Sequence, residues 1–144
     1  MKKENCIDIS QKTNYKIPNK AGKEVQKNIL FTFDCLIKPL QDKFGEGSFS
    51  INSWYRSPNL NVLVKGSAKS DHLLGYAIDI HGVSVKNSEL FDFLKRLEDT
   101  SQIIWEFGND KEPAWVHVSC NPNKFKSILK SKKNEKGTVY EKFS

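Results

Sequence analysis

Ser70–Ile80 reads SDHLLGYAIDI and sets a histidine and an aspartate, His72 and Asp79, seven positions apart, with Gly75 and Ala77 between them. Its second half is strand-like, so the stretch predicts a turn feeding a β-strand. A spacing of seven does not put both side chains on one turn of a helix, but a loop running into a strand can bring them to one point. Gly75 and Ala77 leave room for backbone to pass close to that point. Imidazole nitrogen and carboxylate oxygen together are a normal part of a catalytic zinc sphere, in which three protein ligands leave a fourth position open. An ordinary turn explains the pair nearly as well, so a third donor has to decide.

The only other histidines are His81 and His117. Alternation turns His81 to the same face as Asp79, but it stands at a strand end just before Gly82, where a supporting or substrate-contact role suits it. His117 lies within AWVHVS, Ala114–Ser119, a strand-like run with Trp115 and Ser119 on its own face. Both remain candidates at this point, with His117 preferred.

The chain of 144 residues, 38% hydrophobic, suffices for one compact domain with a core. No run approaches the roughly 18 apolar residues of a membrane span, and MKKENCIDIS has no apolar stretch of secretory length, so neither membrane partner nor encoded export is expected. Cys6, Cys35 and Cys120 are odd in number and show no CxxC spacing, which argues against a disulfide framework and a thiolate zinc cluster. The net charge of +6 is uneven: residues 1–70 carry 12 basic and 6 acidic side chains, 71–122 carry 4 and 9, and 123–144 carry 7 and 2. The acidic block coincides with the histidines, which suits a cation better than a nucleic acid. Glu89, Asp92, Glu98 and Asp99 within it read as the solvated face of a helix.

Residues 1–19 are polar and are expected as an extended lead-in, ahead of a domain spanning 20–140 and a tail at 141–144. From Ala21 to Phe44 the apolar positions recur at three- and four-residue spacing, an amphipathic helix in which Pro39 should force a kink or restart. Ser48–Trp54 alternates as a strand, residues 55–72 read as loop, and Ser88–Leu97 as a second helix. Ile103–Phe107 and Ala114–Ser119, joined by GNDKEP, predict a hairpin. A short helix at Phe125–Leu129 and a loose basic tail are expected at the end.

SDHLLGYAIDI resembles the SxHxxGxAxD signature of the M15 zinc peptidases, the D-Ala-D-Ala carboxypeptidase family, and AWVHVS resembles its WxHxS signature. YRSPNLN, IKPLQDKFG, IIWEF, NKFKSIL and GTVY extend the likeness in order over roughly residues 25–140, and it is greatest with the branch common in bacteriophage genomes. The resemblance implies an α+β fold, a single compact domain with a small antiparallel sheet flanked by helices, like hedgehog domains and DD-peptidases. It implies one Zn²⁺ per chain on His72, Asp79 and His117, a substrate carboxylate on Arg56, a hydrogen bond near the site from Ser70, and a loop held by Asn61. In two places the chain departs from the family. Lys65-Gly66 stands where two glycines are common, and Ala114 occupies the position, three before the last histidine, where many members carry the catalytic glutamate.

The proton carrier must then be Glu106 or Glu112. Glu106 lies in a predicted strand, where a charge facing the core is costly unless paired or working, whereas Glu112 sits in a turn and needs no explanation. The phage-type branch ends an equivalent strand, QLIxE, on its glutamate, and this chain reads QIIWE, which favours Glu106. The resemblance thus implies a monomeric zinc peptidase acting on peptidoglycan stem peptides, as carboxypeptidase or endopeptidase. Such a lysin or virion enzyme would be made in the host cytoplasm without a signal peptide and act at the cell wall. A zinc-containing but non-catalytic module of a virion is the alternative.

Overall fold

The alternating runs Ala77–Gly82 and Trp115–Ser119 lie side by side in the middle of a six-stranded sheet. The computed structural model describes residues 1–144. Its elements are α1 (Cys6–Ser10), α2 (Lys23–Thr32), α3 (Lys38–Phe44), β1 (Phe49–Ser53), α4 (Pro58–Leu63), β2 (Ala77–Gly82), α5 (Asn87–Arg96), β3 (Gln102–Glu106), β4 (Trp115–Ser119), β5 (Ser127–Asn134) and β6 (Gly137–Lys142). The strand order is β1-β2-β4-β3-β5-β6. All neighbours are antiparallel except β3 and β5, so the expected antiparallel sheet is in fact mixed. The architecture is the α+β domain expected.

Period-two alternation divides the central strands into two faces. Ile78, Ile80, Ile103, Val116 and Val118 are fully buried and share one core with Ile29, Leu36, Leu40, Leu90, Phe91 and Leu94 from the helices. The other face carries Asp79, His117 and Ile104, which are cross-strand partners on β2, β4 and β3. Slipping either strand by one residue would send these polar groups into the apolar core.

The long helical stretch runs on from Lys23 to Phe44 and widens its turn ahead of the proline. A π-turn spans Phe33–Ile37 between α2 and α3, and Pro39 opens α3. Proline has no N–H to offer the carbonyl four residues back, and the wider turn accommodates that loss. Gly75, at φ +80°, closes the turn before β2, and a Cβ there would lie 2.8 Å from Ile29 Cγ1. Its carbonyl accepts from Trp54 Nε1 and Thr32 Oγ1, which fastens the turn to α2 and β1.

Three expectations are corrected. Residues 1–19 are not simply extended: a 3₁₀ turn at Lys3–Asn5 leads into α1, Cys6 and Ser10 are buried, and Tyr55 N donates to Ser10 O. The segment 55–72 contains α4, started by Pro58 at its first turn and capped by Ser57, whose Oγ accepts from Leu60 N. The carboxy-terminal stretch is neither helix nor loose tail but the hairpin β5–β6, with β5 paired along β3 and Phe143 stacked on Phe91 and Trp105. Glu89 and Asp92 lie exposed on α5 as expected, whereas Glu98 and Asp99, also exposed, fall in the turn after the helix ends at Arg96.

A candidate metal centre on the open face of the sheet

Ser70 begins the site by capping a 3₁₀ turn, Asp71–Leu74, with its Oγ accepting from His72 N. The turn sends the His72 ring inward, where Nδ1 lies 2.6 Å from the carbonyl oxygen of Trp54. A carbonyl only accepts, so Nδ1 carries the proton and Nε2 presents a lone pair. Burial pushes the His72 pKa down and keeps the ring neutral. Nε2 is also the only buried side-chain polar atom in the molecule without a hydrogen-bond partner.

That lone pair faces Asp79 Oδ2 at 3.3 Å, and His117 Nδ1 lies 2.9 Å from Asp79 Oδ1. Donor atoms of all three residues fall within 4.8 Å of one another, each residue being buried. Burial alone would raise the Asp79 carboxyl, but the neighbouring histidines hold it well below the usual carboxylate range. Two imidazoles and one carboxylate, with an imidazole lone pair directed at a carboxylate oxygen, form a donor set that can hold a metal ion and suits zinc. Nothing else among the cysteines and acidic residues gathers such a group: Cys6 and Cys120 are buried separately in the core, and Cys120, pushed up to about 12 by burial, remains a thiol.

Arg56 braces this trio from the side. Its Nη2 donates to Asp79 Oδ2 at 3.1 Å, Nη1 to Asn61 Oδ1 at 3.3 Å and Nε to Ser53 Oγ at 3.2 Å. Three of its five N–H groups are therefore engaged within the chain and two are left over. Asn61 holds the loop, as read, donating to Ser67 O and accepting from Gly66 N through its own carbonyl. The Lys65-Gly66 departure acquires a physical account here. A Cβ at Gly66 would sit 2.1 Å from Asn61 Oδ1 and 2.9 Å from Arg56 Nη1, so any side chain there would displace the Asn61–Arg56 contact, while Lys65 takes φ 59°, a left-handed conformation ordinarily given to glycine. The loop keeps its path at the cost of a mild strain at Lys65.

Glu106 ends β3 and is 8% exposed. Its Oε1 accepts a 2.6 Å hydrogen bond from Ser131 Oγ on β5. Burial raises its carboxyl above the ordinary range, partly offset by Ser131 and by His117. Glu112 lies elsewhere: it caps α5, accepting from the backbone and side chain of Ser88. His81 also stays apart, its Nδ1 on Asn52 Oδ1. One cavity of about 400 Å³ is lined by Arg56, Ser70, His72, Asp79, Glu106 and His117 together, and by neither Glu112 nor His81.

Sequence reasoning missed the cavity residues Asp71, Lys124 and Tyr140, and Ser131, which reaches the cavity only through its hydrogen bond to Glu106. The available signal for Asp71 is its place directly before His72; the structure shows it 4% exposed, an acid that needs partners. Ser131 and Tyr140 lie in a lysine-rich segment whose sequence carries little strand periodicity. In the hairpin they are cross-strand partners, and Ser131 in turn pairs with Glu106.

No curated protein sequence matches this chain significantly. A family model described as Peptidase M15 matches residues 11–119, a span that contains the trio, Arg56, Ser70 and Glu106 and stops before β5. With most of its length matched, and the two histidines and the aspartate meeting within that span, the chain belongs to the M15 peptidase family.

Proposed function

We propose that the protein is a zinc-dependent peptidase that hydrolyses amide bonds in peptidoglycan stem peptides, as a D-Ala-D-Ala carboxypeptidase or an L-Ala-D-Glu endopeptidase of phage-lysin type. The observation that carries this reading is the partnerless lone pair of buried His72 Nε2, facing Asp79 beside His117 in a cavity that also holds Glu106. Zinc held by His72, Asp79 and His117 would supply Lewis acidity toward a scissile carbonyl and make a water acidic near neutral pH.

The remaining work falls to the chain's own groups. Glu106 takes the proton of the attacking water and passes it to the leaving amine. Its raised carboxyl suits such a base, since proton transfer is most effective when the carrier's pKa approaches the working pH. Ser131 fixes one carboxylate oxygen and leaves the other for this exchange. Arg56 orients Asp79, and its two remaining N–H groups reach toward a substrate carboxylate in the same cavity. Ser70 holds the His72 turn through its Oγ, and its own O–H remains available to the substrate in the cavity it lines. On this reading the protein acts at the cell wall as a monomer, and neither nucleic acid nor membrane is a partner.

The test is release of new amino groups from purified peptidoglycan by zinc-loaded protein. Glu106→Gln should retain zinc and folding while losing on the order of 10²–10⁴-fold in rate. A wild-type chain that binds zinc but releases nothing from any wall chemotype would instead favour the non-catalytic module.

A further inference from the structure

On the side of the cavity away from Glu106 stands a cation that belongs to neither the trio nor the Arg56 brace. Glu106 pairs with Trp115 at one end of β3, and Gln102 pairs with Ser119 at the other. The chain leaves β4 at that second end and enters a tied loop: Asn121, 5% exposed, donates its backbone N–H to Ser101 Oγ, and its own Oδ1 accepts from Asn123 N. The loop delivers Lys124 into the wall of the cavity that Gln102 also lines.

Lys124 Nζ is held in place. It donates to Asp71 Oδ1 at 2.9 Å and makes a longer contact, 3.4 Å, with Lys69 O. Asp71 is buried, its Oδ1 also accepts from Asn121 Nδ2, and it directly precedes His72. Lys124 itself remains about half exposed, at 47%, so the ammonium is oriented from beneath while its third N–H looks outward. Lys65 and Lys69 line the same mouth, and neither is paired with a carboxylate. The acidic lining groups, by contrast, are all occupied: Asp71 by Lys124, Asp79 by Arg56 and the histidines, Glu106 by Ser131.

From this arrangement we infer that Lys124, with Lys69 beside it, anchors a carboxylate of the substrate on the far side of the trio from Glu106. The ligand is an acidic peptide, with a free carboxylate one or two residues from the amide that reaches His72, Asp79 and His117. A charge-assisted hydrogen bond to a positioned ammonium adds affinity without touching the reacting atoms, so its loss appears in KM. Lys124 lies outside the span matched by the family model. The subsite rests on the peptidase reading, and binding must therefore be measured apart from turnover.

The experiment compares the pentapeptide L-Ala-γ-D-Glu-L-Lys-D-Ala-D-Ala with two forms, one amidated at its terminal carboxylate and one at the D-Glu α-carboxylate. Zinc-loaded wild type should prefer the free acid over one amide by roughly tenfold or more in KM. Lys124→Met should raise KM for the acid by a similar factor, keep kcat within about twofold, and leave that amide unchanged, while Lys124→Arg keeps the preference. Because Lys124→Met strands a buried carboxylate, Asp71→Asn/Lys124→Met is measured beside it, removing both charges while retaining the Asn121 contact. Preference unchanged in the double variant, or absent in wild type, overturns the inference. Calorimetric titration of the zinc-loaded Glu106→Gln chain with the same peptides separates the two readings. Acid-selective binding without cleavage by wild type leaves the subsite standing and removes the peptidase, whereas cleavage without acid selectivity does the reverse.

Discussion

Replacing Asp79 by Asn perturbs the trio at the residue that all its contacts share. The side chains of Arg56 and Asp79 are 15% and 12% exposed, so their ion pair is little screened by solvent. Breaking one partner of a buried pair costs about 3–5 kcal/mol. Asparagine keeps the volume and one acceptor for Arg56 Nη2, which places the expected loss near the lower end, about 3 kcal/mol, or roughly 6–12 °C in melting temperature for a chain of this size. The pH dependence follows from the depressed Asp79 carboxyl. A group whose folded pKa lies below its unfolded value of about 3.9 contributes stability above that value and loses it as pH falls. The gap between wild type and Asp79→Asn should therefore be full at pH 7 and narrow progressively below about pH 4. Thermal melts followed by circular dichroism in chelator, at pH 7 and across the acid range, measure it. A variant melting within about 2 °C of wild type at pH 7, or a gap that widens in acid, refutes the reasoning.

Two further outcomes concern the two candidate proton carriers, Glu106 and Glu112. Ser131→Ala removes the hydrogen bond that holds its carboxyl down, so the acidic limb of the pH–rate profile should move to higher pH while zinc content is unchanged; an unmoved limb argues that Ser131 does not act on Glu106. Glu112→Ala removes the cap of α5 and should cost about 1 kcal/mol in denaturant melts while zinc-dependent amine release persists; loss of release with the fold intact would return Glu112 to candidacy as the proton carrier.

Most of the site was legible because its residues sit in runs whose periodicity fixes their facing. Asp79 and His117 fall opposite one another because Ala77–Gly82 and Trp115–Ser119 both alternate, and alternation admits one register that buries Ile78, Ile80, Val116 and Val118. Alternation also kept His81 on the face of Asp79, and only the third dimension shows it turned to Asn52 instead. The segment around Arg56 and His72 was less legible, since its order comes from single hydrogen bonds to Trp54 O, Asn61 Oδ1 and Ser57 Oγ rather than from any period.

The carboxy-terminal hairpin was misread for a different reason. In SILKSKKN the strand period is carried by lysines and serines, and β5 is only partly buried, so hydrophobic alternation is faint. What fixes it as a strand is tertiary: β5 lies parallel to β3, a pairing of segments separated by a whole hairpin, and Ser131 meets Glu106 there. Parallel neighbours leave no turn signal between them in the sequence. The amino-terminal helix was missed similarly, because buried Cys6 and Ser10 are small and its other residues are polar or half-exposed.

The central claim is that His72, Asp79 and His117 hold zinc, and metal content tests it most directly. Wild-type chain dialysed against zinc and passed through a desalting column should carry a single ion by mass spectrometry of the metal. His117→Ala, folded by circular dichroism, should carry little, and His81→Ala should carry as much as wild type. Full zinc in His117→Ala, or its loss in His81→Ala, would contradict the account.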